Sequence, residues 1–451
     1  MLNRVVTVDF GKKSGRIKPL LCMNGGPRSG GYDLPSDFSD EFSELAVPFV
    51  RTSGAAGEYG QNQFVNIHCI FPEWDADPEL EESYNFLPTD LYLASVKNAG
   101  SGIFLRLGES PEPYARKLYA KAPLDPEKWA SVCEHIIAHY NELWASGFKL
   151  GIKYAEIWSG ADSRECFDSD PTLYYELYRV TANRLRVRFP KLKIGGYGSL
   201  GFSSLNRLDA GDEEKGAISF MQKFLAYVRA EATSAPLDFF SWDCYTSNPD
   251  ELAMHAKYAR TYLDTAGFRK TRSFVSSFGP SKKSTALPAL RPDYPSELCA
   301  SLILAQKSSI DMMTYSTADA HDQRNGLFSV EDFRTHRHYA AYNAALAFGK
   351  LYKLGTALET TGDYRKEVYA LAATDGSEAA ILATTRNYQG KLEIVLKDSS
   401  YTACTVVKTA PGGERGQGVV YRAENVPVTG GKIIIPVKQN EIYFVTLFDS
   451  L

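Results

Sequence analysis

Five charged residues, Arg51, Arg106, Glu109, Asp162 and Asp243, each stand at or just past the end of a short apolar run, and Trp158, Tyr197, Trp242, Tyr245 and Tyr315 stand at the ends of the same or neighbouring runs. Guanidinium and carboxylate groups hydrogen-bond hydroxyls, and Trp and Tyr faces lie against the C–H surfaces of a sugar ring. The combination suits a polyhydroxylated ligand. Two small polar stretches sit among these residues: Ser159-Gly160 directly after Trp158, and Ser276-Ser277 before Phe278-Gly279.

The apolar runs that must position them are Pro19–Asn24, Val47–Thr52, Gly102–Gly108, Ile152–Ser159, Leu192–Gly198, Leu237–Tyr245, Ser273–Phe278 and Ile310–Ser316. Runs this short and continuous read as parallel strands buried on both faces. Helical spacing separates them. Trp129, Val132, Cys133, Ile136, Ile137, Tyr140, Leu143 and Trp144 share one face, and so do Leu173, Leu177, Tyr178, Thr181 and Leu185. Strand and helix alternating through eight strands with right-handed crossovers predict a (β/α)8 TIM barrel, an α/β fold, over about residues 17–353. An open doubly wound sheet is the alternative. Residues 354–451 change to alternating strands with tight-turn signals such as Asp375-Gly376 and Gly430-Gly431, predicting a C-terminal β-sandwich. Residues 1–16 hold one isolated strand, Val5–Phe10, which is expected to join that sandwich because its edge would otherwise be bare. In a barrel the functional residues gather at the C-terminal ends of the strands, where the residues named first all fall.

Composition narrows the classes. The chain has 451 residues, 44% hydrophobic and 23% charged, the balance of a globular protein. A net charge of −4 without a basic block argues against a nucleic-acid partner. No stretch approaches the ~20 apolar residues that span a bilayer, and the opening MLNRVVTVDFGKKSG has no secretory pattern, so no membrane partner and a cytoplasmic location are expected. Seven cysteines at scattered positions without a CxxC pair predict buried thiols rather than disulfides or a zinc site.

The chain resembles glycoside hydrolase family 39, which contains β-xylosidases and α-L-iduronidases. The resemblance rests on Phe49-Val50-Arg51, the segment Ile70–Pro78 (IFPEWDADP), FLRLGES at Phe104–Ser110, the helix around Trp129–Tyr140, Tyr154–Trp158, LKIGGY at Leu192–Tyr197 and Phe239–Trp242. It implies a (β/α)8 barrel with a β-sandwich, no cofactor and no metal, and an oligosaccharide or glycoside as ligand; an oligomer is compatible with it. KYAEIWSGAD resembles the family's acid/base segment, E-[IV]-W-N-E-P, yet Ser159 and Gly160 occupy the Asn and Glu places. Ser277 occupies the place of the nucleophilic glutamate in a T-E-W-N-like stretch. Ser53-Gly54 replaces the usual His-Gly or His-Asp, and Asp243 the histidine expected after Trp242. Retaining hydrolysis needs two carboxyl groups about 5 Å apart, one to protonate the leaving oxygen and one to attack the anomeric carbon. Serine is a weak nucleophile without an adjacent base.

The sequence thus favours a carbohydrate-binding protein on a glycosidase framework. Arg51, Trp158, Ser159, Tyr197, Trp242, Tyr245 and Tyr315 are expected to line the site and Arg106 and Glu109 to orient hydroxyls, while Gly160 and Ser277 leave room for a bulkier sugar. The alternative is a glycoside hydrolase with relocated catalytic carboxylates, Asp243 with Glu109 or Asp162, working in inverting geometry at about 6.5–9.5 Å. A scaffold with a fully packed mouth is the third option. Against catalytic roles, Asp243 is read as a hydroxyl-binding residue or a salt-bridge partner facing Arg51 or Arg106, and Asp162 as a helix cap. Asp319, His321 and Asp322 have metal-ligand chemistry but read more simply as loop polarity, and Asp75 and Asp77 lack the rest of a calcium loop. Glu156 is expected deeper in the barrel against an arginine such as Arg106, and His135 and His139 within a helix packing face.

Overall fold

A computed structural model describes residues 3–30, 35–52, 65–109, 120–281, 287–316, 326–332, 335–362, 364, 366–412 and 416–449. Eight parallel strands close into a barrel: Cys22–Asn24, Phe49–Arg51, Gly102–Leu107, Tyr154–Ile157, Lys193–Ser199, Phe239–Tyr245, Arg272–Gly279 and Met312–Ser316. They pair in chain order, and Tyr315 beside Met23 makes the closure. These are the eight runs predicted. Their residues are buried on both faces, as in Phe239-Phe240-Ser241-Trp242, because the lumen and the helix layer both exclude water.

The N-terminal end of the barrel is plugged by rings. Phe104, Phe239 and Phe274 form a buried cluster with Cys22 and Met312, and Phe49 and Tyr154 pack on it. Phe239 and Phe274 are stacked at 4.6 Å, with Phe104 edge-on to Phe239 at 5.4 Å. Geometry of this kind adds about 0.5–1.5 kcal/mol per pair beyond area burial.

The helices carry the predicted apolar faces. Pro126–Glu142 starts on Asp125, whose side chain accepts from the Lys128 N–H at 3.0 Å, and Pro171–Arg188 starts on Asp170 in the same manner. Leu143 and Leu173 depart from expectation: both are exposed, because Leu143 is a left-handed C-cap at φ 68° and Leu173 lies in a first turn beyond the packing face. His135 and His139 are packing residues as expected; His139 stacks on Phe86 at 3.6 Å and meets Asp90 at 3.1 Å.

Among the described residues, eight strands after the helix Ala340–Leu354 and one from the N-terminus form a single nine-stranded sheet. The N-terminal strand Arg4–Arg16 lies inside it, antiparallel to Thr356–Thr361 and parallel to Gly390–Lys397, so its edge is covered on both sides. Val6 and Val8 share one core with residues from both ends of the sheet, among them Ile394, Ile433, Cys404 and Val445, which gives the sandwich. Three of its strands, Thr356–Thr361, Ala403–Ala410 and Val419–Pro427, are not marked by the sequence pattern; the last is an almost wholly exposed edge without alternation to betray it. All seven cysteines are free thiols, five of them buried.

Candidate functional site

The strand ends assemble a polar shell at the C-terminal face of the barrel. Arg51, at the end of the second strand and 2% exposed, is its central cation. Its Nε and Nη2 donate to Glu156 Oε2 at 2.8 and 2.5 Å, its Nη1 to Asn24 Oδ1 at 3.1 Å and its Nη2 to Ser159 Oγ at 2.9 Å. Glu156 therefore finds Arg51, not Arg106, and both charges of this pair are withdrawn from water. Arg51 in turn fixes the rotamers of Asn24 and Ser159, which remain partly exposed at the mouth.

Ser277 sits where the resemblance expects a nucleophile. It receives a hydrogen bond from Asn24 Nδ2 at 3.1 Å and shares one with Tyr245 Oη at 2.5 Å, and Tyr245 Oη also meets Ser316 Oγ at 3.0 Å. An amide and a phenol surround this hydroxyl, so neither neighbour is the imidazole that would activate it.

Gly160 is more constrained than a vacated place. Its φ is +69°, its N–H donates to the carbonyls of Tyr197 and Gly198 at 2.8 and 3.1 Å, and a Cβ there would lie 2.9 Å from Cys166 Sγ and 3.1 Å from Cys166 Cβ. The room expected at this position is filled by Cys166. Only glycine takes this left-handed backbone without strain.

The three carboxylates separate. Glu109 is buried and engaged by His68, whose ring contacts one carboxylate oxygen while its backbone N–H donates to the other at 3.2 Å. Burial opposes charge on His68, but hydrogen bonds to Cys69 and Glu109 and the Glu109 charge outweigh it and push the imidazole up to about 10. Asp162 does not cap a helix. It accepts from Ser199 Oγ at 2.6 Å and from the Leu200 N–H at 3.1 Å, and burial pushes its carboxyl up to about 7, helped by the nearby charge of Asp243. While Arg51 is held by Glu156 and Arg106 reaches Asn66, Asp243 accepts from Ser276 Oγ at 2.7 Å. A cavity of about 130 Å³ opens beside it, lined in part by Tyr245, Leu200 and Ser281.

Several expected lining residues are elsewhere. Trp158, Tyr197, Trp242 and Tyr315 are each at most 1% exposed. Trp158 packs edge-on to Phe167 and donates from Nε1 to Cys166 O; Tyr197 lies among Tyr174, Phe220 and Phe224; Trp242 donates to Ser273 Oγ beside Phe202; Tyr315 contacts the Tyr294 hydroxyl. These rings fill the layer between barrel and helices and offer no face to a ligand. Arg106, 1% exposed, donates to Asn66 Oδ1 at 2.5 Å, and burial holds its guanidinium down at about 10, so it positions Asn66 rather than meeting solvent. Tyr245, Ser159, Ser277, Asp162 and Asp243 are at the mouth as expected. His68 and Cys166 are contributors that the sequence pattern does not mark. Asn24 is legible as the end of the first barrel run, whereas His68 and Cys166 lie in connecting segments without local signal.

Asp319, His321 and Asp322, with Ser53, Gly54 and Ser110, lie outside the described residues. Among the described residues no group of three or more His, Cys, Asp or Glu side chains could hold a metal, and Asp77 is a turn residue that accepts from the Glu79 N–H. No described helix is long and apolar enough to cross a membrane.

Comparison with known proteins shows a fold shared with glycoside hydrolases of known structure. No protein-family profile matches the chain. A β-xylosidase of Geobacillus stearothermophilus is 23% identical over 223 residues, which is 46% of this chain and 39% of that protein. The match thus spans about two-fifths of the curated relative. Among solved structures, a glucosidase from Croceicoccus marinus superposes with a TM-score of 0.77 and 22% identity, with 100% of both chains covered. A GH39 enzyme from Xanthomonas axonopodis pv. citri superposes at 0.68 and 14% identity over 100% of this chain and 98% of the other. The chain is GH39-like in architecture, a parallel barrel joined to a β-sandwich.

Proposed function

We propose that this chain binds an oligosaccharide or glycoside at the C-terminal mouth of its barrel and does not cleave it by the retaining two-glutamate route. The hydrogen-bonded chain Asn24–Ser277–Tyr245–Ser316 carries the proposal, since it puts neutral hydroxyls where that route requires an ionised carboxylate. Ser159, Asn24, Tyr245 and Asp243 would meet the sugar hydroxyls, with Arg51 holding two of them in place from below. The backbone at Gly160 supports the same conclusion: a side chain long enough to protonate a leaving oxygen would have to displace Cys166.

Hydrolysis by relocated carboxylates has one observation in its favour. A carboxyl raised to about 7 beside an acceptor-type Asp243 is the pairing of acid and base that general catalysis uses. Titration calorimetry with a panel of neutral and acidic oligosaccharides, run beside overnight incubation with the same sugars and their aryl glycosides, separates the two. Saturable binding without product supports the proposal, and Asp243→Asn should then weaken binding only. Product formation by wild type that disappears in Asp243→Asn and Asp162→Asn overturns it in favour of a relocated mechanism.

A further inference from the structure

The opposite end of the barrel holds a second cavity, of about 910 Å³. It lies beneath the aromatic plug, so the rings of Phe104, Phe239 and Phe274 separate it from the mouth. Arg16, Lys18, Arg272 and Lys353 line it, against Asp311 alone among acidic residues of the lining. Asp311 is partly spent, since one carboxylate oxygen accepts from the Ser273 N–H at 2.9 Å. The cations are not. This chain is rich in ion pairs, yet among the described residues none of these four makes one: Lys18 Nζ donates to the Ser308 carbonyl at 2.7 Å and Arg272 reaches only the Tyr154 hydroxyl at 3.4 Å. Four cations thus share the lining with a single carboxylate, an excess of positive charge that a bound anion would offset.

We propose that this cavity is a binding site for a multivalent phosphate-type anion, either free or carried as a phosphate ester. Arginine and lysine together supply forked and point-charge donors to phosphate oxygens, and Tyr154, Tyr352 and Phe274 supply an apolar wall for whatever an ester carries. The location gives binding a consequence. Arg16 and Lys353 stand where the chain passes between sandwich and barrel, and Ile17 N–H donates to Gly355 O at 2.8 Å across those two crossings. An anion held by Arg16, Lys18 and Lys353 on one side and Arg272 on the other ties the crossings to the floor of the barrel and stabilises their junction.

The test uses the full chain and three probes, pyrophosphate, glucose 6-phosphate and glucose, by titration calorimetry and thermal unfolding in low and in physiological salt. Expected are saturable binding of a phosphate probe with a rise in melting temperature, no effect of glucose, and a loss of about tenfold in affinity for each cation removed in Arg16→Ala, Arg272→Ala and Lys353→Ala. These three side chains are solvent-exposed, so the variants should fold, and binding at the barrel mouth should be unchanged in them. Pyrophosphate binding more tightly identifies a free anion as the occupant, and glucose 6-phosphate binding more tightly identifies an ester. Binding that vanishes at physiological salt, that glucose reproduces, or that survives the triple variant overturns the proposal.

Discussion

Replacing Gly160 by alanine tests whether the missing acid/base position is a space or a filled site. The backbone there has φ +69°, a region that costs an L residue about 1–2 kcal/mol. The added Cβ would also stand 2.9 Å from Cys166 Sγ and 3.1 Å from its Cβ, contacts inside van der Waals separation, and overpacking of this sort costs about 1–3 kcal/mol. Gly160→Ala should therefore lose about 2–4 kcal/mol in equilibrium urea unfolding, followed by fluorescence and circular dichroism together to check that the two transitions coincide. Cys166→Ala removes the closer of the two contacts and leaves φ unchanged. In a double-mutant cycle the pair should be less damaging than the sum of its parts by about 1 kcal/mol, with the left-handed penalty remaining. Gly160→Glu inherits both penalties, so restoring the carboxylate should cost stability before it adds any chemistry. A Gly160→Ala variant within about 0.5 kcal/mol of wild type, or strict additivity with Cys166→Ala, would refute the steric account.

Three further outcomes are expected. Glu156→Gln leaves Arg51 charged, buried and without its carboxylate, and should destabilise the protein by about 3–5 kcal/mol in the same unfolding assay; a change under 1 kcal/mol would mean that the pair is dispensable. Asp162 has its carboxyl raised from 3.8 to about 7, so the folded state binds the extra proton: its contribution is complete below pH 4 and fades as pH rises through 7. The stability difference between wild type and Asp162→Asn should accordingly shift against wild type by up to about 1.4 kcal/mol per pH unit across that window, whereas a pH-independent difference contradicts the raised value. His68 is raised from 6.5 to about 10, so its pairing with Glu109 stabilises fully below pH 6.5 and is lost as pH rises through 10; His68→Gln should cost about 1–3 kcal/mol near pH 6.5 and progressively less as pH rises from there to 10, as urea midpoints would show.

Much of the architecture is legible without coordinates. Short apolar runs such as Leu237–Tyr245 and Leu192–Gly198, spaced by helical periodicity, admit little besides parallel strands with crossover helices, and the absence of glutamate at Gly160 and Ser277 is a fact of sequence. The direction of each side chain is not legible there. A strand buried on both faces has no polar alternation, so nothing local tells Trp242, which faces the helix layer, from Asp243, which faces the mouth; the aromatic lining expected of Trp158, Tyr197, Trp242 and Tyr315 fails for that reason. Contacts between distant segments are likewise decided only by folding. Cys166 filling the place beside Gly160, His68 taking Glu109, and Arg16 and Lys18 sharing one cavity with the distant Arg272 and Lys353 depend on closure of the barrel, which brings together groups whose separation in the chain carries no trace of their proximity.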